Sequence, residues 1–202
     1  MQGLSLTEEN HDPLTISHFN DGEPVKCKII HWWVQQYCLA GMMEVSELIQ
    51  SETDQNSIIE VIDIFHFVMS IMQCCGCTYD DIAQILEKRV DRTKEEDWDS
   101  IWHGSETSGE VAIFVQLSKI IDLLPWKHWS KKTEFDAKDI KLASCELLLM
   151  WCGMARDVYG LNPERVHSVY VQKNEVNISR QLSGTYGLEK KDESDNQQID
   201  VQ

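Results

Sequence analysis

Four carboxylates in this chain stand in two i, i+3 pairs, Glu44 with Glu47 and Glu60 with Asp63. Residues three apart share one face of a helix, so each pair projects two acids the same way. Their neighbours are apolar: Met42, Met43, Val45 and Leu48 beside the first pair, Ile58, Ile59, Val61, Ile62 and Ile64 beside the second. Both pairs therefore lie on helices that must pack. The short polar break over 51–56 makes those helices antiparallel neighbours and gathers the four acids. Four like charges in an apolar bundle repel severely unless cations sit among them. Hard oxygen donors select Mg2+ or Mn2+ over zinc. The competing reading is a solvated acidic face. Against it stands the second helix, apolar nearly all round, which leaves Glu60 and Asp63 little water-facing surface. His66 follows Asp63 by three and has three readings: a ligand, a partner that orients Asp63, or a polar contact to a substrate.

A second constellation lies late in the chain. Tyr170, Lys173, Asn177 and Arg180 are spaced 3, 4 and 3, which is one helix face, with Asn174 beside it. Arg and Lys clamp phosphate oxygens, and amides read a base or a sugar. The glycine-bearing Ser183-Gly184-Thr185-Tyr186-Gly187, which reads as a flexible loop, follows directly. An ordinary polar outer face is the alternative. Residues 163–180 carry three cations against two acids, a local net +1 in a chain whose formal charge is −16.

The elements that position these residues read as all-α, an antiparallel helical bundle. Residues 1–25 read as an irregular N-terminal arm broken by Pro13, Gly22 and Pro24. A long helix is predicted from about 26 to 50, a second from about 57 to 74, and a short third from 80 to 90 behind a Thr78 cap. The stretch of about 91–109, with Trp98 and Trp102 four apart, reads as a charged connector. Further helices are predicted over about 109–124, 138–159 and 163–182. The stripe expected to be buried in the first of these is Val111, Phe114, Leu117, Ile120, Ile121 and Leu124. Pro125 ends that helix, and Pro163 opens the last one. From 188 to 202 the chain is almost wholly polar and reads as a disordered acidic tail. The order of amphipathic helix, apolar helix, Gly-x-Thr/Asn and short helix occurs over 41–90 and again over 114–173. In this pseudo-repeat Leu142 and Cys145 fall where Glu60 and Asp63 stand in the first copy.

Composition sets the outer bounds. The 202 residues suffice for one domain with a real core. Lys and Arg number 18 against 34 Asp and Glu, which excludes a passive binder of nucleic acid polymers or anionic membranes, because both need clustered positive charge. Hydrophobic residues make up 42 %, too many for a wholly disordered chain. The start lacks the pattern of a signal peptide, and no uninterrupted apolar run reaches membrane-spanning length, so the expectation is a cytoplasmic protein. Seven cysteines, an odd number, agree with that compartment. Cys74 and Cys77 form a CxxC, but no second pair at zinc-site spacing exists, and a helix end closed by Gly76 is the reading. Asn177-Ile178-Ser179 is a formal glycosylation sequon without a secretion signal to use it.

Taken together, three segments resemble the dimeric all-α dUTPases, which belong with the MazG-like proteins among the all-α nucleoside triphosphate pyrophosphohydrolases. They are Met43-Glu44-Val45-Ser46-Glu47-Leu48-Ile49-Gln50-Ser51, then Ile59-Glu60-Val61-Ile62-Asp63-Ile64-Phe65-His66-Phe67, and Tyr170-Val171-Gln172-Lys173-Asn174-Glu175-Val176-Asn177-Ile178-Ser179-Arg180-Gln181. The ExxE…ExxD motif alone marks only the superfamily. The late Y-x-x-K-N-x-x-N-x-x-R-Q…GY pattern is specific to the dUTPase branch and related phage dCTPase–dUTPases. The resemblance implies a catalytic domain over 26–187 and a homodimer. It implies that Glu44, Glu47, Glu60 and Asp63 hold two or three Mg2+ ions, with Glu47 as general base. It further implies that Lys173, Arg180 and Tyr186 neutralise the phosphates, that Asn174 or Asn177 meets base or sugar, and that His66 and Phe67 line the nucleoside pocket. The expected substrate is a nucleotide, dUTP ahead of dCTP, cut to the monophosphate and pyrophosphate. Two features depart from the family. Tyr37 stands where a tryptophan is usual, with Gln35 and Gln36 as possible base readers, and Pro125-Trp126-Lys127-His128-Trp129 falls in the second half rather than after the first acid pair. Three rivals stand beside this reading: a dCTP-type or broader MazG-like dNTP pyrophosphatase, a di-iron carboxylate bundle that Asp63-x-x-His66 partly imitates, and a non-enzymatic helical interaction protein.

Overall fold

A computed structural model describes residues 24–92, 108–127, 136–183 and 193–201. Six α-helices carry almost all of them: α1 Pro24–Ile49, α2 Asp54–Cys74, α3 Tyr79–Arg92, α4 Gly109–Leu123, α5 Ala137–Asp157 and α6 Pro163–Leu182. A 3-10 helix, Glu193–Gln198, follows. The all-α expectation holds, with no strand among the described residues. The N-terminal arm up to residue 23, the centre of the connector with Trp98 and Trp102, His128, Trp129 and Tyr186 lie outside the described residues.

Local chemistry sets the boundaries. Helix α1 opens on Pro24, whose fixed φ suits a first turn. Helix α2 begins at Asp54, earlier than the apolar pattern predicts, because the Thr53 side chain accepts from the Asn56 amide at 3.2 Å and caps it. It ends in a Schellman turn. Gly76 sits at φ 65°, its N–H donates to Gln73 O, and the Cys77 N–H donates to Met72 O. The CxxC cysteines thus bracket a helix stop, as the sequence suggests, and both thiols are free. Thr78 then caps α3 in a reciprocal box. Its amide donates to Asp81 Oδ2 at 2.7 Å, and Thr78 Oγ1 accepts from the Asp81 amide at 3.3 Å. Helix α6 starts on a one-way cap, with Asn162 Oδ1 accepting from the Arg165 amide at 2.8 Å.

Helices α1, α2, α5 and α4 form the bundle core: α1 packs on α2 and α4, and α5 packs on α4 and α2. Helix α3 lies against α5, α6 against α2, and the 3-10 helix against α6. Val34, Val45, Ile59, Ile62, Leu117 and Leu147 are among the fully buried side chains, each worth about 1.5–3 kcal/mol of hydrophobic transfer. Helix α2 is the one described helix long and apolar enough, by length and composition, to cross a membrane. Its packing on α1, α5 and α6 uses that apolarity inside the bundle. The α1–α4 contact is close at Gly41, where an added Cβ would lie 3.3 Å from Leu117 Cδ1. Gly41→Leu is therefore expected to overpack this crossing and cost about 1–3 kcal/mol in urea unfolding.

Two expectations need correction. On α4 the buried set is Ile113, Gln116, Leu117, Ile120 and Ile121, whereas Val111 and Phe114 are exposed. Val111, Ile113, Phe114, Val115 and Leu117 surround the helix with apolar side chains, so periodicity could not select the inward stripe. Gln116 goes inside because its amide donates to Ala143 O at 2.8 Å and to Glu146 Oε2 at 3.3 Å. The second correction concerns the tail: residues 193–201 of the segment expected to be disordered are folded onto the bundle. Ile199 is buried, its carbonyl accepts from Gln55 Nε2 at 3.3 Å, and its backbone neighbours are bonded to α6. One isoleucine with specific backbone partners outweighs a polar composition.

Candidate metal centre

The turn over 50–53 folds α2 back along α1, and this brings the acids together. Ligand oxygens of Glu44, Glu47 and Glu60 all lie within 4.8 Å of one another. All three side chains are half-buried. Burial, with the charges of Asp63, Glu44 and Glu47 around it and a hydrogen bond with Glu44, pushes the Glu60 carboxyl up to about 8. Its Oε2 is buried and has no hydrogen-bond partner among the described residues. A cluster of hard carboxylate oxygens, one of them buried and unsatisfied, fits Mg2+ or Mn2+ and offers nothing to a soft metal.

Asp63 lies one turn further along α2 and faces α6. Its Oδ2 receives Lys173 Nζ at 2.8 Å, and its Oδ1 lies 4.0 Å from His66 Nδ1. His66 Nδ1 lies 3.0 Å from the Ile62 carbonyl, and the ring stacks on Tyr170 at 4.2 Å with an interplanar angle of 17°. Burial holds the imidazole below its usual pKa, so it is neutral near pH 7. The proton then belongs on Nδ1, donated to Ile62 O. This leaves Nε2 as a buried acceptor with no hydrogen-bond partner in the described residues. His66 thus lies beside Asp63, with Nδ1 engaged by the Ile62 carbonyl and Nε2 open to a donor.

The other expected residues are placed as follows. Phe67 points to the α1 side, with its ring 6.3 Å from Tyr37, which in turn lies 5.5 Å from Trp33. His66 and Phe67 therefore face different helices. Lys173 is 3 % exposed and donates also to Asn196 Oδ1 at 3.2 Å, so in this arrangement its charge is matched by Asp63 rather than presented to solvent. Asn174 is exposed, and Asn177 and Arg180 are half-buried along α6. Sequence reasoning missed Asn196 and Ile199 of the C-terminal segment. The available signal was the apolar pair Ile199 and Val201 in an otherwise polar stretch. The Tyr170 stack on His66 was equally invisible, because stacking depends on how α6 crosses α2.

The raised Glu60 carboxyl makes a signed prediction. Its proton is held more tightly in the folded chain than in the unfolded one, where the value is near 4.5. The stabilisation from that proton is complete below about 4.5 and is lost as pH rises through about 8. In chelator, the wild-type Tm is expected to fall between pH 5 and 8.5 relative to a Glu60→Gln chain, and millimolar Mn2+ is expected to restore it. A constant difference between the two chains across that range would contradict the buried-acid assignment.

No family model, curated protein or solved structure matches this chain, so the chemistry of the site rests on the residues and distances given above.

Proposed function

We propose that this chain is a Mg2+-dependent nucleoside triphosphate pyrophosphohydrolase acting on a pyrimidine deoxynucleotide, with dUTP as the preferred substrate. The observation that carries the reading is the convergence of Glu44, Glu47 and Glu60, whose ligand oxygens lie within 4.8 Å of one another. The order of motifs along the chain supports it: ExxE on α1, ExxD with His66 on α2, and the Lys173…Arg180 face on α6, the helix packed against α2.

Glu44, Glu47 and Glu60 would hold the cation, with Asp63 beside them. Held by these residues, Mg2+ would supply positive charge for the phosphate chain and lower the pKa of a water. Glu47 accepts the proton of that water as it attacks phosphorus. The bond broken is the phosphoanhydride that frees pyrophosphate, so water plus triphosphate gives monophosphate plus pyrophosphate. Arg180 stands on the same face of α6 as Lys173 and neutralises phosphate oxygens. His66 offers a neutral acceptor nitrogen to a sugar hydroxyl or a base N–H, and Tyr170 holds its ring in place. The homodimer implied by the sequence resemblance is part of this proposal.

A panel of dNTPs with and without Mg2+, with products separated as monophosphate and pyrophosphate, tests the reading. Cleavage of dUTP is expected, with dCTP slower and purine nucleotides slowest. A purine preference would reassign the chain to a broader dNTP pyrophosphatase, and the absence of any hydrolysis would leave a non-enzymatic helical protein.

A further inference from the structure

The Lys173 ammonium is matched on two sides, by Asp63 Oδ2 at 2.8 Å and by Asn196 Oδ1 at 3.2 Å. A cation this deeply buried is stable only while both partners stay. Asn196 reaches it because the residues that follow are seated on the bundle. Ile199 is buried, and its carbonyl accepts from Gln55 Nε2 on α2. Gln172 of α6 holds the Asp200 backbone from both sides, accepting its N–H at 2.9 Å and donating to its carbonyl at 3.2 Å. Arg165 Nε donates to the Val201 carbonyl. These contacts form a built seat for a peptide, and this chain's own C-terminal segment fills it.

We propose that the segment Asn196–Val201 is a latch on the metal centre: docked, it keeps Lys173 on Asp63, and a divalent cation that recruits Asp63 drives it off. The proposal rests on the cation reading of Glu44, Glu47 and Glu60. Asp63 has one carboxylate and two claimants, Lys173 and a cation beside Glu60. When Asp63 turns to the cation, Lys173 is left buried with the Asn196 amide as its partner among the described residues, an arrangement too costly to persist. Lys173 then leaves the interior, the Asn196 contact is lost, and the segment loosens. Freed in this way, Lys173 joins Arg180 on the α6 face that meets phosphate. Cation binding and segment docking oppose each other reciprocally, because the coupling acts equally in both directions.

The test is Mn2+ titration by calorimetry, at one pH, of the full chain and two variants. Ile199→Asp places a charge in the buried seat and undocks the segment. Asn196→Ala removes the acceptor from Lys173 with little loss of packing, so it stays informative if Ile199→Asp weakens folding. Both variants are expected to bind Mn2+ more tightly, on the order of 5- to 150-fold for full undocking. In the wild-type chain, Mn2+ is expected to speed hydrogen exchange at the Asp200 amide. Equal Mn2+ affinity in all three chains, with Asp200 protection unchanged, would overturn the latch and leave the metal centre standing. If no chain binds Mn2+ any better than a Glu60→Gln control, the cation reading itself fails and the latch fails with it.

Discussion

With Glu47 in its proposed role as general base, a Glu47→Gln chain is expected to keep its fold and to hydrolyse dUTP roughly 10²–10⁴-fold more slowly, the range over which a positioned general base contributes. The amide has the size of the carboxylate and retains one oxygen able to face a cation, but it cannot take a proton from water. The readout is pyrophosphate release at saturating Mg2+ and nucleotide, so that the loss appears in kcat rather than in occupancy. Glu47 shares its cluster with Glu60, whose own carboxyl is pushed up to about 8. A parallel Glu60→Gln chain separates the two roles. It is expected to lose cation affinity while gaining stability at alkaline pH, because a buried like charge has been removed. An unchanged kcat in Glu47→Gln would remove that residue from the base role.

The largest stability effect is expected at Trp151. Its ring is 3 % exposed, stacks on Phe65 of α2 at 4.3 Å, and its indole N–H donates to Val61 O at 2.9 Å. One side chain of α5 thus fills volume against α2 and anchors the helix that carries Glu60 and Asp63. Trp151→Ala is expected to cost about 3–5 kcal/mol in urea unfolding. Trp151→Phe keeps the stack and loses only the N–H bond and some volume, so a smaller cost is expected from it. If the alanine variant were as stable as the phenylalanine one, the indole would not be a bridge between α5 and α2.

The acidic pairs were legible because i, i+3 spacing is a property of the chain itself, and the 50–53 turn is too short to do anything but fold α2 back on α1. Helix stops were legible for a similar local reason: Gly76 and Thr78 fix the backbone within a few residues. What was not legible depends on encounters between distant segments. Phe114 lies outside and Gln116 inside because α4 is apolar on nearly every side, and the Ala143 carbonyl and Glu146 carboxylate on α5 explain why an amide turns inward. Lys173 read as a phosphate-facing cation, yet it is buried because Asp63 and Asn196 reach it from 110 residues before and 23 residues after. The seat for Ile199 is made by Gln55 and α6 jointly, and no window of sequence contains both.

Helices that are greasy around most of their circumference can slide past one another, since Leu against Ile is nearly as good as Leu against Leu one turn away. Gln116 removes that freedom between α4 and α5. Shifted by a turn, its amide would lose the Ala143 carbonyl and the Glu146 oxygen and stand buried with nothing to donate to, at a cost of about 1–3 kcal/mol. The apolar surface makes the bundle cohere, and this buried amide, with the Lys119–Glu146 ion pair beside it at 3.5 Å, sets the register in which it does so. That register carries through Trp151 to α2 and so to the alignment of its acids with those of α1.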